Sequence, residues 1–330
     1  MKESIVKGIV ILVCLSAIAL MPQILPVVHV NMLIEIAFFS LFAVSFNMLF
    51  GYGGLLSFGH AAYFGLGAYA MALLLKHTPG VPLLLLFLLG GIAGGLGGLL
   101  AGFFCVRLKK AYFALLTMAF NQFFFAVALK WRSVTGGDDG MSLKRPDLNL
   151  PGFGLISMGK VAHVYYLVVA VVLLCILIQW YLTKTPFGNA VRATKENDER
   201  ADFVGYHVFF TRLSLYTSAA FFAGIAGSLF AFFQGFVSTG AIDAQMSMQV
   251  TFMTFIGGVG AFFGPILGTG VYLYFTDWVS RITDRWEFVL GVLFILLVMY
   301  ARTGLAGLIL RMDKFKSLLG FTHKRIDSGK

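Results

Sequence analysis

Apolar runs of about 20 residues, the length that crosses a hydrocarbon layer, follow one another down this chain with short polar segments between them. A water-exposed surface cannot be built from that pattern, because a soluble domain needs about a quarter of its residues charged. Here only 12% of 330 residues are charged and 59% are apolar. With 38 glycines, a residue that lets membrane helices pack closely, the chain is read as an all-α polytopic membrane protein.

The runs are Gly8–Val28, Met32–Phe50, His60–Leu75, Leu83–Val106, Ala111–Leu129, His163–Leu182, Leu213–Phe233, Met246–Val279 split at Gly264-Pro265 into two short spans, and Phe288–Ala301. They predict ten spans, or eight to nine if a glycine-rich piece at 51–60 or 257–270 is re-entrant. The first run contains Ala17-Ile18-Ala19 but continues past it, longer than a signal-peptide core, and is read as a retained helix. Cys14, Cys105 and Cys175 lie in or at the end of these runs without metal or redox spacing, and read as packing residues.

The net charge of +10 is explained by topology. With ten spans and both termini inside, the N-terminus, the Arg107–Lys110 turn, the Lys184–Arg212 loop and the tail from Arg302 hold 17 Lys and Arg against 8 outside. Cytoplasmic segments of membrane proteins carry that excess, so no nucleic-acid partner is inferred.

Local patterns give three sets of candidates. Gly90, Gly94, Gly98 and Gly102 recur every four residues, as do Gly260, Gly264 and Gly268. Small residues at that spacing let helices approach, so all seven are assigned to helix packing. The segment from Phe50 to His60 is glycine-rich and uncharged, and cannot be helical throughout. It is either a re-entrant element or a tight turn. Gly53, Gly54, Ser57 and His60, with Asn47, Asn121 and Gln122 inside runs, are candidates for a pathway or gate; interhelical hydrogen bonding is the alternative. Glu35, Gln234 and Thr251 are further polar residues inside runs. The charged segment Thr183–Arg212 reads as a breaker at Pro186-Phe187-Gly188, a short helix beyond it, and a second helix through Asn197–Val204 stopped by Gly205. Such helices serve either as solvated connectors or as a docking surface. No His pair has metal spacing, no nucleophile–base set stands out, and no phosphate-binding Gly-x-x-x-x-Gly-Lys-Ser/Thr loop is present. No catalytic or metal-binding residue is therefore assigned.

Glu199, Ala201 and Gly205 stand at the places of the Glu-Ala-Ala-x-x-x-Gly pattern of ABC importer permeases, with Arg200 where the pattern has its middle Ala. Asn47–Ala61, Thr135-Gly136-Gly137, Phe222–Gly227 and Gly257–Gly260 resemble the branched-chain amino acid (LivM-type) permease family, in its order and over most of the chain. The charge count places 131–162 on the extracytoplasmic side and 183–212 and the tail 302–330 in the cytoplasm; the resemblance implies that 1–330 is one permease domain in a bacterial inner membrane, with 183–212 its coupling loop. It implies a non-enzymatic transport subunit that binds no cofactor of its own. Its partners would be a second homologous permease, two cytoplasmic ATPases that use ATP and Mg, and an extracytoplasmic solute-binding protein. Arg192, Glu196, Glu199, Ala201 and Gly205 would form the ATPase contact. The implied cargo is leucine, isoleucine and valine, with urea or short amides as the alternative within the family. Outside it, the competing readings are an ion-coupled secondary transporter acting alone, which needs an intramembrane charged pair or proton relay, and a membrane scaffold.

Overall fold

The computed structural model describes residues 20–300 other than 79 and 151–153, together with 304, 305 and 307. Most of the expected first span, and nearly all of the tail from 302, lie outside these residues. The described chain is built from helices α1 (Val27–Asn47), α2 (His60–His77), α3 (Leu83–Cys105), α4 (Ala111–Lys130), α5 (Val161–Leu182), α6 (Pro186–Glu196), α7 (Asp198–Phe203), α8 (Val208–Gln234), α9 (Ala244–Gly257), α10 (Gly264–Ser280) and α11 (Trp286–Tyr300). Prolines mark their starts, where a missing N–H costs nothing. Pro26 and Pro82 directly precede α1 and α3, and Pro186 and Pro265 sit in the first turn of α6 and α10.

Among the described residues, five helices are long and apolar enough to cross a membrane: α1 with its continuation to Tyr52, α3, α4, α5 and α8. The other expected spans are shorter. Helix α2 has 18 residues, α9 has 14, α10 has 17 and α11 has 15. The split expected at Gly264-Pro265 falls at 258–263, where Gly258 takes a φ of 104°.

Helix α8 is the centre of the bundle and packs on α1, α2 and α3. The glycine stripe of α3 makes this possible. A Cβ on Gly94 would lie 2.6 Å from the Ala220 carbonyl oxygen and 2.8 Å from Gly224 Cα, and one on Gly90 would lie 2.7 Å from Ser228 Cβ. Gly98 meets Ala220 and Gly102 meets the Tyr216 ring on the same helix. Backbones approaching this closely gain dispersion contacts that lipid cannot offer. Gly264 and Gly268 similarly face Gly257 and Met253 of α9. Gly260 differs from expectation. It lies in the 258–263 turn with nothing within 4 Å of where a Cβ would stand, so it is off the helical stripe its spacing implied.

The two ends of the bundle are distinct. At one, the β-strands Met141–Ser142 and Phe236–Val237 pair antiparallel. There Arg145 donates to the Phe233 carbonyl at the end of α8, a cation at the negative pole of a helix. The segments Leu148–Leu150 and Gly154–Ile156 form a second small hairpin in the 131–162 loop. The other end gathers the 53–59 segment, the 107–110 turn, α6 and α7, and the 258–263 turn.

A buried break and a bracketed loop

Helix α1 does not end cleanly. Met48–Tyr52 widens into a π-turn, a form that concentrates at functional sites. Gly53 N–H donates to the Met48 carbonyl, Gly54 to Phe50 and Leu55 to Leu49. From there the chain turns back into the bundle without helical structure. Phe58 N–H donates to Thr117 Oγ1 at 3.2 Å, and His60 Nε2 meets Ser45 Oγ at 2.9 Å. Ser45 and Thr117 each stand about two turns in from that end of their helices, roughly 10 Å at 1.5 Å per residue. The glycine-rich segment is therefore an inward-running break, and α2 starts inside the protein.

A broken backbone at that depth needs partners. Gly59 N–H donates to Ser57 Oγ at 3.3 Å and Ala61 N–H to Ser247 Oγ of α9 at 2.9 Å, satisfying donors at the start of α2. Ser57 and His60 are fully buried. Since Ser45 spends its own proton on the Phe42 carbonyl at 2.7 Å, it accepts from His60 Nε2. His60 stacks on Phe42 at 5.3 Å between centroids. Its Nδ1 has no hydrogen-bond partner, and neither do the Oδ1 atoms of Asn47 and Asn121. Asn47 Nδ2 donates to the Ala261 carbonyl at 3.1 Å and Asn121 Nδ2 to the Ile242 carbonyl at 2.8 Å. Gly53 packs against Leu215 of α8, while Gly54, at φ 69°, faces Lys195. Gln122 parts from the group and is exposed on the outer side of α4. The π-turn that leads into the 53–59 segment is a spatial neighbour of the 258–263 turn, whose sequence resembles that segment: beyond the Asn47 bond, Tyr52 meets Phe262 edge-on at 6.2 Å.

The 183–212 loop is a folded bracket. Pro186-Phe187-Gly188 is not the breaker expected, because α6 begins at Pro186 itself. Gly188 is then needed where a Cβ would lie 2.6 Å from the Thr183 carbonyl carbon, so the chain folds back tightly on α5. Helix α7 is defined by local chemistry. Asn197 Oδ1 accepts from Arg200 N–H at 3.0 Å, and Asp198 and Glu199 lie at the positive helix start. At the far end Gly205 N–H donates to the Asp202 carbonyl at 2.9 Å and Tyr206 N–H to the Ala201 carbonyl at 3.0 Å, with Gly205 at φ 96°. These are the two bonds of a Schellman cap. The Ala201-to-Gly205 spacing is thus the spacing of a helix stop, with Ala201 buried beneath it.

Asp198 pins the bracket to the bundle. Its carboxylate pairs with Arg212 at 2.5 Å, where the Arg212 side chain is 13% exposed, and with Lys109 at 3.3 Å. The outer face keeps Glu196, Glu199 and Arg200 exposed, and presents Phe203 at 91% and Val204 at 77% exposure. Arg192 stands over the Tyr52 ring at 5.4 Å, and Lys195, which no sequence pattern singled out, reaches the π-turn. No group of three His, Cys, Asp or Glu side chains gathers among the described residues.

Residues 28–299 match the family described as branched-chain amino acid transport system / permease component. The chain belongs to this family of membrane permeases. The chain is 28% identical over 290 residues to the high-affinity branched-chain amino acid transport system permease protein LivM of Salmonella typhimurium, covering 82% of this chain and 68% of that protein. It is 27% identical over 278 residues to LivM of Escherichia coli, covering 78% and 65%. The guanosine ABC transporter permease protein NupQ of Bacillus subtilis is 31% identical over 132 residues, 38% of this chain and 39% of that protein. The chain spans about two thirds of the length of the LivM relatives. No solved structure matches it. As a family member, this permease is a transport subunit and not an enzyme.

Proposed function

We propose that this permease is the membrane-spanning subunit of an ATP-driven, binding-protein-dependent importer of leucine, isoleucine and valine in a bacterial inner membrane. The observation that carries the reading is the bracket α6–α7. It offers an apolar knob, Phe203 and Val204, ringed by exposed Glu196, Glu199 and Arg200, and is held to the bundle through Asp198. Adjacent exposed apolar residues rimmed by charged ones, on a loop fixed to the bundle, have the form of a protein contact site. The partner of this reading is a cytoplasmic ATPase, one of two, each using ATP and Mg; this chain holds no cofactor. Nucleotide-driven movement of the ATPases would displace the bracket as a rigid body.

The pathway of this reading follows the buried break. Asn47, His60 and Asn121 are buried and keep unpaired acceptors, which suit the ammonium group of an amino acid in transit. Gln122, an amide exposed partway along an apolar span, belongs in lipid only at a cost; a second, homologous permease covers that face and completes the pore. An extracytoplasmic solute-binding protein delivers the cargo to the 131–162 side. The names of the LivM relatives support branched-chain amino acids. The ion-coupled alternative is disfavoured because the ion pairs among the described residues, at Asp198 and at Asp277 with Arg281, stand at helix ends.

The test is co-purification. Tagged protein from its native membrane should bring down an ATPase, and Phe203→Asp, which alters an exposed side chain, should release it while the permease itself stays folded. An ATPase that never co-purifies, or one held equally by Phe203→Asp, contradicts the reading.

A further inference from the structure

Lys195 lies on the exposed side of α6, yet its ammonium has a fixed partner. Nζ donates to the Gly51 carbonyl at 2.6 Å, across 144 residues of chain. That carbonyl belongs to the π-turn, whose neighbours are already engaged: Met48, Leu49 and Phe50 accept from Gly53, Leu55 and Gly54. A helix end leaves carbonyls without intrahelical partners and carries partial negative charge. A lysine there makes a short, charge-assisted bond, stronger than a neutral one. The stem takes part as well, since a Cβ on Gly54 would lie 3.1 Å from Lys195 Cγ. One turn earlier on α6, Arg192 reaches Tyr52 of the same π-turn.

Gly51 is held from its other side too. A Cβ there would lie 2.6 Å from the Val259 carbonyl oxygen, and it abuts Asn47, whose amide holds the 258–263 turn. One residue therefore joins three parts: the bracket through Lys195, the 258–263 turn by contact, and the inward break that begins two residues later.

We propose that Lys195 is a positioning residue of the transport cycle, latching α6 to the π-turn so that displacement of the bracket moves the buried break and the 258–263 turn together. This rests on the permease reading given above. The bracket has a second attachment, Asp198 to Arg212, which holds it to α8. Removing Lys195 should therefore leave the docking surface in place and loosen its hold on the pathway, with the Arg192–Tyr52 contact left between α6 and the π-turn.

Two measurements on the intact complex in lipid nanodiscs and vesicles decide it. In hydrogen exchange, Lys195→Met, which keeps the stem and removes the charge, should raise exchange over 49–56 and leave 198–206 unchanged, with Lys195→Arg close to wild type. In vesicles containing the complex and its binding protein, Lys195→Met should retain ATPase co-purification and hydrolysis, while leucine carried per ATP falls about tenfold; Lys195→Arg should recover most of it. Unchanged exchange over 49–56 overturns the latch. Altered exchange with an unchanged leucine-to-ATP ratio overturns its role in transport, and loss of the ATPase from Lys195→Met makes Lys195 a docking residue instead. Failure of the wild-type complex to carry leucine would sink the branched-chain amino acid reading, and the exchange measurement would still decide the latch.

Discussion

Gly205 shows what a single residue contributes. Nothing lies within 4 Å of where its Cβ would stand, so volume does not demand glycine; its φ of 96° does. Gly205→Ala should cost about 1–2 kcal/mol through the left-handed backbone alone, while Gly205→Asn, a residue that tolerates positive φ, should cost less. Hydrogen exchange across 198–206 would rank the two, and equal loss in both would refute a conformational cause. This residue was legible in sequence because a Schellman cap is local: Ala201, Gly205 and the bonds between them span six residues. Lys195 was not legible. Its partner is a backbone carbonyl 144 residues away, and a lysine on an amphipathic loop helix carries no mark distinguishing a latch from a solvated charge. Gln122 was read together with Asn121 because both are amides inside a run, and only the packing of α4 sends one inward and the other outward.

Among elements, glycine spacing marked the packing face of α3, because a period of four keeps residues on one helical face, but did not name α8 as its partner. The same reasoning failed at Gly260, where the helix it presupposes begins only at Gly264. The contrast is testable. Gly94→Val should push α3 from α8 against the Ala220 carbonyl and Gly224, at about 3 kcal/mol, whereas Gly260→Val enters open space and should change stability little. Thermal unfolding in detergent measures both, and comparable destabilisation would contradict the packing described. The break at 53–59 was half legible. Its glycines excluded a continuous helix, but the sequence held no information on its direction, which is set by Ser45, Thr117 and Ser247 on three other helices.

At the scale of the molecule, composition established the solvent, and a rigid centre and a movable end emerge from the packing. Helices α2, α3 and α8 interlock through glycine contacts that tolerate little displacement. The π-turn, the 258–263 turn and the bracket meet at one end, joined by a few polar bonds of the kind that can rearrange. That division suits a subunit that receives force at a loop and opens a path through its core. The most direct measurement is leucine uptake into vesicles bearing the reconstituted complex and its binding protein, with and without ATP on the ATPase side and with imposed proton or sodium gradients. The account predicts uptake that requires ATP and the ATPases and is indifferent to the gradients. Uptake by this chain without an ATPase, driven by a gradient alone, would contradict it.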